Sequence, residues 1–424
     1  MSELKNWSAN YTYSTSRVEY PQSVDDVREV VTRSNKLRAL GSRHSFNGIA
    51  DSTDTLVSLE KMNRVLAVDP AHRTVTLEGG AKYGDVCAVL ERAGLALPNL
   101  ASLPHISVAG ACATATHGSG VENANLAASV SAMEIVTANG DVVPCSREND
   151  GDEFYGMVVG LGGFGIVTKL TLDVIPTFLV RQDVYENLPF TNIADEFETI
   201  AASGYSVSLF TTWRDDGFNQ VWLKRKVTLG ELENVETFFG ATRATAPLHP
   251  IAGMAVENCT AQLGVPGPWH ERLPHFRMEF MPSSGQELQS EYFVARQDAP
   301  AALDALQRVR EQFAPLVQIS EVRTIAADNL WQSPCYQRAS AAIHFTWIQD
   351  WDAVRAVLPR IEAQLAPFDA RPHWGKLFTM SPARVQSLYP QINHFRALLE
   401  TYDPRGKFRN AFLDAYIFGT SSDR

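Results

Sequence analysis

Two stretches poor in bulky side chains constrain this chain more than anything else in it. They are Gly41-Ser42-Arg43-His44-Ser45-Phe46-Asn47-Gly48, and Pro104-His105-Ile106-Ser107-Val108-Ala109-Gly110 running on through Thr114 and His117-Gly118-Ser119-Gly120. Small residues let main chain approach a ligand closely, and glycine allows the left-handed turns that aim successive N–H groups at one point. Each stretch holds a histidine among them. Bare amides beside a nucleophilic imidazole suit a large, phosphate-bearing cofactor that can be held covalently.

The surrounding pattern is α/β. Ser23-Val-Asp-Asp26 starts a helix in the manner of a capping box, with Val24, Val27, Val30 and Val31 at helical spacing and Asn35 as its end. Leu37 to Leu40 is then a strand feeding the His44 loop, so the loop lies at a strand's carboxyl end, where α/β sheets place ligands. Thr55–Leu59, Val65–Val68 and Thr74–Leu77 read as strands, and Gly84–Arg92 as a helix ended by Gly94. Ala132–Thr137 and Asp141–Pro144 make a hairpin about Asn139-Gly140. Gly160-Leu-Gly-Gly-Phe-Gly165 matches the dinucleotide fingerprint in letters only. It follows a helix (Asp152–Val159) and precedes a strand (Ile166–Val174), the reverse of the order that the fingerprint needs.

At 424 residues the chain exceeds what one core supports, so about two domains are expected. The pattern changes near Pro176. Beyond it lie longer strands (Tyr205–Trp213, Gln220–Lys226, Val317–Thr324, Ala341–Trp347) and helices (Ala299–Phe313, Trp351–Leu365), an antiparallel sheet with helices on one face. Residues 230–290, rich in Pro and Gly, give no clear pattern, and from about 378 the chain returns to helices. A balance of 37 Lys+Arg against 48 Asp+Glu disfavours nucleic acid and anionic membrane as partners. No apolar run is long enough for a membrane span. The amino end shows no secretory pattern, and the five scattered cysteines fit reduced thiols in a cytoplasmic protein.

Both small-residue stretches resemble the flavin domain of the vanillyl-alcohol-oxidase family, in which Gly-x-x-His-Ser is the covalent attachment segment. Within that family the chain most resembles the alditol oxidases, with aldonolactone oxidases next, from Asn6-Trp7 to Asp403-Pro404-Arg405-Gly406-Lys407-Phe408-Arg409-Asn410. The resemblance implies an α+β, two-domain flavoprotein. Its FAD-binding α/β domain spans 1–177, an antiparallel-sheet cap holding the substrate spans 178–377, and 378–424 returns to the FAD-binding domain. It also implies FAD bonded to the imidazole of His44. Around the flavin it places Gly41, Ser42, Arg43, Ser45, Ser102, Ser107, Gly110, Thr114, His117, Gly118, Ser119, Gly165, Ile166 and His373. His117 is as well explained by a purely structural role as by flavin contact.

A second cluster comes from strand periodicity. Glu321 and Arg323, at i and i+2, point to one strand face about 7 Å apart, and His344 and Thr346 repeat that spacing with Ile343, Phe345 and Trp347 opposite. The bland reading is a solvated sheet face. The aromatic partners argue for burial, and the family has a matching Glu-x-Arg and His-x-Thr lining its substrate cavity, with Ser107 and Lys376 completing it. These residue types suit alcohol oxidation. Arg323 and Lys376 can stabilise alkoxide charge, His344 or Glu321 can take the hydroxyl proton, and Glu321 can accept from vicinal hydroxyls. The expected reaction is oxidation of the terminal hydroxyl of an alditol such as xylitol or sorbitol, with O2 reduced to H2O2, by a monomer. An aldonolactone oxidase is the alternative. A passive flavin carrier has no need of the polar pairs, and no motif spacing supports a metal site.

Overall fold

The computed structural model describes residues 3–227, 235–277 and 286–420. Parts of the unassigned 230–290 stretch and both chain ends lie outside the described residues.

Helix Val24–Arg33 forms under the Ser23 cap, with Val27, Val30 and Val31 buried. It ends before Asn35, because Ser34 is extended and its hydroxyl donates back to the Val30 carbonyl. Strand Leu37–Ala39 then pairs in parallel with Thr55–Val57, which pairs with Val18–Glu19. The C-terminal segment closes on this small sheet. The Asp403 carboxylate accepts from the Lys407 and Phe408 N–H groups, each at 2.7 Å, and the Lys407 carbonyl accepts from Leu37 N–H. Asn410 donates to the carbonyls of Gly48, Ile49 and Asp51. Arg38 pins the layers together. It is 3% exposed, and its guanidinium donates to the carbonyls of Gly162, Phe408, Leu161 and Ile49. Those acceptors are what make its burial tolerable.

A second sheet has five antiparallel strands in the order Val65–Asp69, Thr74–Glu78, Ile166–Asp173, Val130–Val136, Val142–Ser146. The Asn139-Gly140 hairpin is present, with Gly140 at φ 85° and a second arm reaching Ser146 rather than Pro144. The helix read as Asp152–Val159 begins at Arg147 under a Ser146 cap, and a break at Gly151 (φ 52°) hides its first turn from sequence. The reversed glycine motif turns from this helix into strand Ile166–Asp173. Gly165 has φ 144°, and a Cβ there would meet the Val136 carbonyl oxygen at 2.3 Å, so close packing explains the glycine.

Among the described residues the largest sheet has ten antiparallel strands. Its path runs Thr237–Phe238, Ala241–Arg243, Leu179–Pro189, Gly217–Lys226, Ser206–Thr211, Val317–Ile325, Ser340–Ile348, Glu287–Ala295, Arg371–Pro372, and Gly267–Pro268 pairs with Leu179–Pro189 off this path. The Ser206 strand stops short of Trp213, which turns with φ 62°. Leu179–Pro189, Glu287–Ala295 and helix Thr191–Ala202 are elements that the sequence pattern did not reveal. Helix Ala299–Gln307 falls short of Phe313 and gives way to 3-10 turns, whereas Trp351–Leu365 runs through Pro359 as read. Under the helices the sheet is apolar: Phe345 stacks on Trp347 at 5.0 Å and on Trp213 at 6.1 Å, with Phe313 edge-on. The polar residues occupy the opposite face, toward the loops that carry Ser102 and His117.

Candidate functional site

On that polar face one register row crosses three neighbouring strands. Glu321 pairs with His344, and His344 pairs with Glu291. Strand alternation puts all three side chains on one side. Arg323 is on that side too, one pleat further along the strand of Glu321. Lys376 enters from the loop after Arg371–Pro372.

Glu291 is the hub, and it is 1% exposed. Its carboxylate accepts from Lys376 Nζ at 2.8 Å, from His117 Nε2 at 3.1 Å and from Arg323 at 3.5 Å. Burial alone raises its pKa, but Lys376, His117 and His344 outweigh that and hold it well below the ordinary carboxylate range. Glu321 is tied through Oε1 to His275 Nε2 at 2.7 Å and lies 3.4 Å from Arg323 Nε. Burial pushes it up as well, and Arg323 and His275 more than reverse this. Two carboxylates and two cations thus neutralise one another in a buried layer.

His344 links the cluster. Its Nδ1 lies 2.8 Å from Lys376 Nζ and its Nε2 lies 3.1 Å from Thr346 Oγ1. Burial, and then Lys376, keep its pKa well below the usual value, so the ring is neutral at pH 7. Burial lowers Lys376 too, with Glu291 opposing. His373 stacks on Phe293, its Nδ1 accepts from Gly375 N–H, and burial pushes its pKa down to about 3.

The small-residue loops stand directly against this cluster. His117 spans the gap by its bond to Glu291, and Ser102 does so by accepting from Arg323 at 3.3 Å. Asn47 donates to the carbonyls of Trp374 and Lys376, and Phe46 N–H donates to Gly375. Ser107 joins the two loops. Its N–H donates to Ser42 Oγ, and a Cβ on Gly41 or Gly110 would meet its hydroxyl oxygen at 2.7 or 2.6 Å. A side chain at either position would push the Ser107 hydroxyl aside. The Thr114 hydroxyl donates to the Gly110 carbonyl, Ser119 to Val207, and Gly118 packs on Asn99. Arg43 holds a left-handed φ of 61°, and its carbonyl accepts from Trp7 N–H. The Ser45 carbonyl accepts from Asn6. Gly165 and Ile166 lie apart from the polar cluster, and the Ile166 side chain is buried with Val27, Val136 and Phe408.

His44 sits on the Trp7 ring at 5.2 Å, nearly parallel. Its Nδ1 lies 2.9 Å from the Ser42 carbonyl and so carries the proton. Its Nε2 is buried without a hydrogen-bond partner. Burial pushes its pKa down to about 4, leaving a neutral ring whose lone pair meets no donor among the described residues.

The chain is 50% identical over 422 residues to an alditol oxidase of a Streptomyces species, covering 98% of this chain and 99% of that one. The chain belongs to the alditol oxidase family. A family model described as FAD binding domain matches residues 15–146, and one described as D-arabinono-1,4-lactone oxidase matches 280–416. More distant members of the wider family include an L-gulonolactone oxidase of Mus musculus, 26% identical with 98% of each chain covered. An L-gulono-1,4-lactone dehydrogenase of Mycobacterium tuberculosis is 28% identical, with 96% of this chain and 97% of that one covered. The fold is that of a Brevibacterium sterolicum cholesterol oxidase, with TM-score 0.78 over 98% of this chain and 96% of that one at 14% identity. This family of FAD-dependent oxidoreductases pairs an FAD-binding domain with a sheet domain.

The residues present fit FAD. The Nε2 of His44, without a partner among the described residues, and the close packing of Gly41 and Gly110 on the Ser107 hydroxyl make a bare, nucleophile-bearing cradle of the kind that a large cofactor needs. Among the described residues no group of three or more His, Cys, Asp or Glu could hold a metal, and no helix is long and apolar enough to cross a membrane. All five cysteines are buried and unpaired.

Glu291, His275 and Lys224 were not found from sequence. For Glu291 a signal existed: Gln289 and Glu291 show the same i, i+2 polar spacing as Glu321/Arg323 and His344/Thr346. It was lost because it opens out of the Pro- and Gly-rich stretch. His275 and Lys224 carry no local signal, since a loop and a distant strand bring them together.

Proposed function

We propose that this protein oxidises the terminal CH2OH of an alditol of the xylitol or sorbitol type to the aldehyde, with O2 becoming H2O2. The observation that carries this reading is the row Glu321–His344–Glu291, flanked by Arg323, Thr346 and Lys376 and pressed against the His44 and Ser107 loops. A polyol presents a line of donors and acceptors, and this row presents their complements. FAD, when bound, supplies the acceptor for the hydride and the link to O2.

The side chains divide the remaining work. Arg323 and Lys376 donate to the substrate oxygen as it gains alkoxide character, in a buried layer. The hydroxyl proton passes to Lys376 Nζ as Lys376 hands one of its own protons to Nδ1 of the neutral His344, which becomes the imidazolium while its Nε2–H stays on Thr346 Oγ1. Glu321, a weak base because Arg323 and His275 hold it low, receives the neighbouring hydroxyls instead. Ser107 would meet both the flavin and a substrate hydroxyl. His44 bonds the flavin covalently, and Gly41, Ser42, Arg43, Ser45, Ser102, Gly110, Thr114, His117, Gly118, Ser119, Gly165, Ile166 and His373 shape its bed. The FAD-binding part comprises 1–177 and 378–424 and the cap 178–377. The protein works as a cytoplasmic monomer, a reading that its buried free thiols suit.

An aldonolactone substrate is the second reading, favoured by the lactone-oxidase model over 280–416. Anaerobic mixing with xylitol, and separately with an aldonolactone, decides between them. Bleaching of oxidised flavin by xylitol, with colour returning in air, is expected. Bleaching by the lactone alone refutes the alditol reading.

A further inference from the structure

We infer that His275 and Lys224 form a positioning unit for the carboxylate of Glu321, and that this unit sets how tightly the hydroxyls beside the reacting one are held. The inference rests on the alditol reading above for its substrate, but its geometry stands on its own.

Lys224 lies on strand Gly217–Lys226 and is 1% exposed. Its Nζ reaches the Leu273 carbonyl at 2.6 Å, the Pro274 carbonyl at 3.2 Å and His275 Nδ1 at 3.3 Å. An ammonium has three N–H donors, and each has one acceptor here. His275 is neutral at pH 7, because burial pushes its pKa down to about 4. A neutral imidazole carries a single N–H. Its Nε2 lies 2.7 Å from Glu321 Oε1, and an ionised carboxylate can only accept. The proton is therefore on Nε2, and Nδ1 accepts from Lys224. The lysine selects the tautomer, and the tautomer fixes one oxygen of Glu321. The other oxygen is left to meet substrate.

The same loop steers Arg323. The N–H groups of His275 and Phe276 both donate to the Ser102 carbonyl, and the Ser102 hydroxyl accepts from Arg323. Trp222 and Phe210 meet the His275 ring edge-on at 5.2 and 5.5 Å and stop it from turning. The charged and titratable groups around Lys224 are Glu321, Arg323, His275 and Cys259, and burial pushes its pKa down to about 7. Desolvating a lysine and a histidine together costs free energy that no ordinary surface role requires. Here both end on the carboxylate assigned to substrate hydroxyls.

The test uses the flavin-loaded enzyme and the variants His275→Phe, His275→Gln and Lys224→Met, with oxygen uptake on xylitol, covalent flavin content and Tm as readouts. Loss of binding shared by ground and transition states raises KM and leaves kcat, so His275→Phe is expected to raise KM about tenfold with kcat within about threefold. His275→Gln keeps an N–H near the Nε2 position and is expected to restore most of the affinity, and Lys224→Met is expected to fall between. KM unchanged in His275→Phe and Lys224→Met overturns the inference. So does a His275→Gln variant as poor as His275→Phe, or a fall in kcat, flavin content and Tm together at constant KM. If His275→Phe does not fold, Lys224→Met decides by the same KM criterion. Wild-type enzyme inert toward xylitol would refute the substrate reading instead. The same variant-to-wild-type ratios on the lactone would then decide the positioning role.

Discussion

Glu291→Gln is the sharpest test of how the site holds its charges. The glutamate is the buried counter-charge to Lys376 at 2.8 Å and also accepts from His117 and Arg323. At an effective dielectric of about 20, a unit pair at the 2.8 Å of Lys376 and Glu291 is worth about 6 kcal/mol. Shifting a protonation equilibrium tenfold takes only about 1.4 kcal/mol. Burial already lowers the pKa of Lys376, and Glu291 is the largest influence raising it. Without that charge the amine loses its proton at a lower pH, and the site loses one of its two cationic donors. Removing one such donor costs about 10²–10³ in turnover. Glutamine keeps the size and one acceptor, but its NH2 meets a donor where a carboxylate oxygen stood, so stability falls too, by roughly 3–5 kcal/mol for a broken buried pair. The assay is kcat and kcat/KM for xylitol across pH 5–10, with Tm and flavin content measured on the same samples. The expected result is a large loss of kcat at pH 8 that is partly recovered at lower pH, where the lysine regains its proton. Wild-type kcat with an unshifted pH profile would refute the reasoning, because Lys376 would then owe nothing to its only carboxylate hydrogen-bond partner among the described residues.

Three other outcomes follow from the same geometry. Arg323→Ala should retain flavin and lose about 10²–10³-fold or more in turnover, and near-normal turnover would remove Arg323 from the chemistry. His44→Ala should release its flavin on denaturation while the wild type keeps it in the protein band, and retained flavin in the variant would move the attachment elsewhere. Thermal stability should decline as pH falls below about 6.5, well before ordinary carboxylates titrate. His44 and His275, with pKa values pushed down to about 4, and His373, at about 3, stay neutral in the fold, whereas the unfolded chain takes up their protons from about pH 6.5 downward. The depressed Glu291 and Glu321 add a further loss below about pH 4.5. A Tm flat from pH 7 to pH 5 would contradict the burial of these rings.

What the sequence determined by itself is local in origin. Gly41, Gly110 and the Gly-x-x-His-Ser segment declare a cradle because small residues beside an imidazole leave room for one, and neighbours in sequence are enough to say so. Glu321/Arg323 and His344/Thr346 share a strand face because the strand period is two, and that too needs no tertiary knowledge. The sequence could not say which strands are neighbours. Glu291 became the hub because the strand Glu287–Ala295 pairs with Ser340–Ile348 and sets it beside His344. The centre of that strand is buried on both faces, so its burial does not alternate and the polar spacing of Gln289 and Glu291 does not mark a half-exposed strand. Lys224 meets His275, and His275 meets Glu321, only because a loop folds across the sheet. Helix ends and glycine turns answer to bonds within a few residues. Charge pairing in a buried layer answers to contacts between residues up to 174 positions apart, such as His117 and Glu291, and tertiary structure alone decides those.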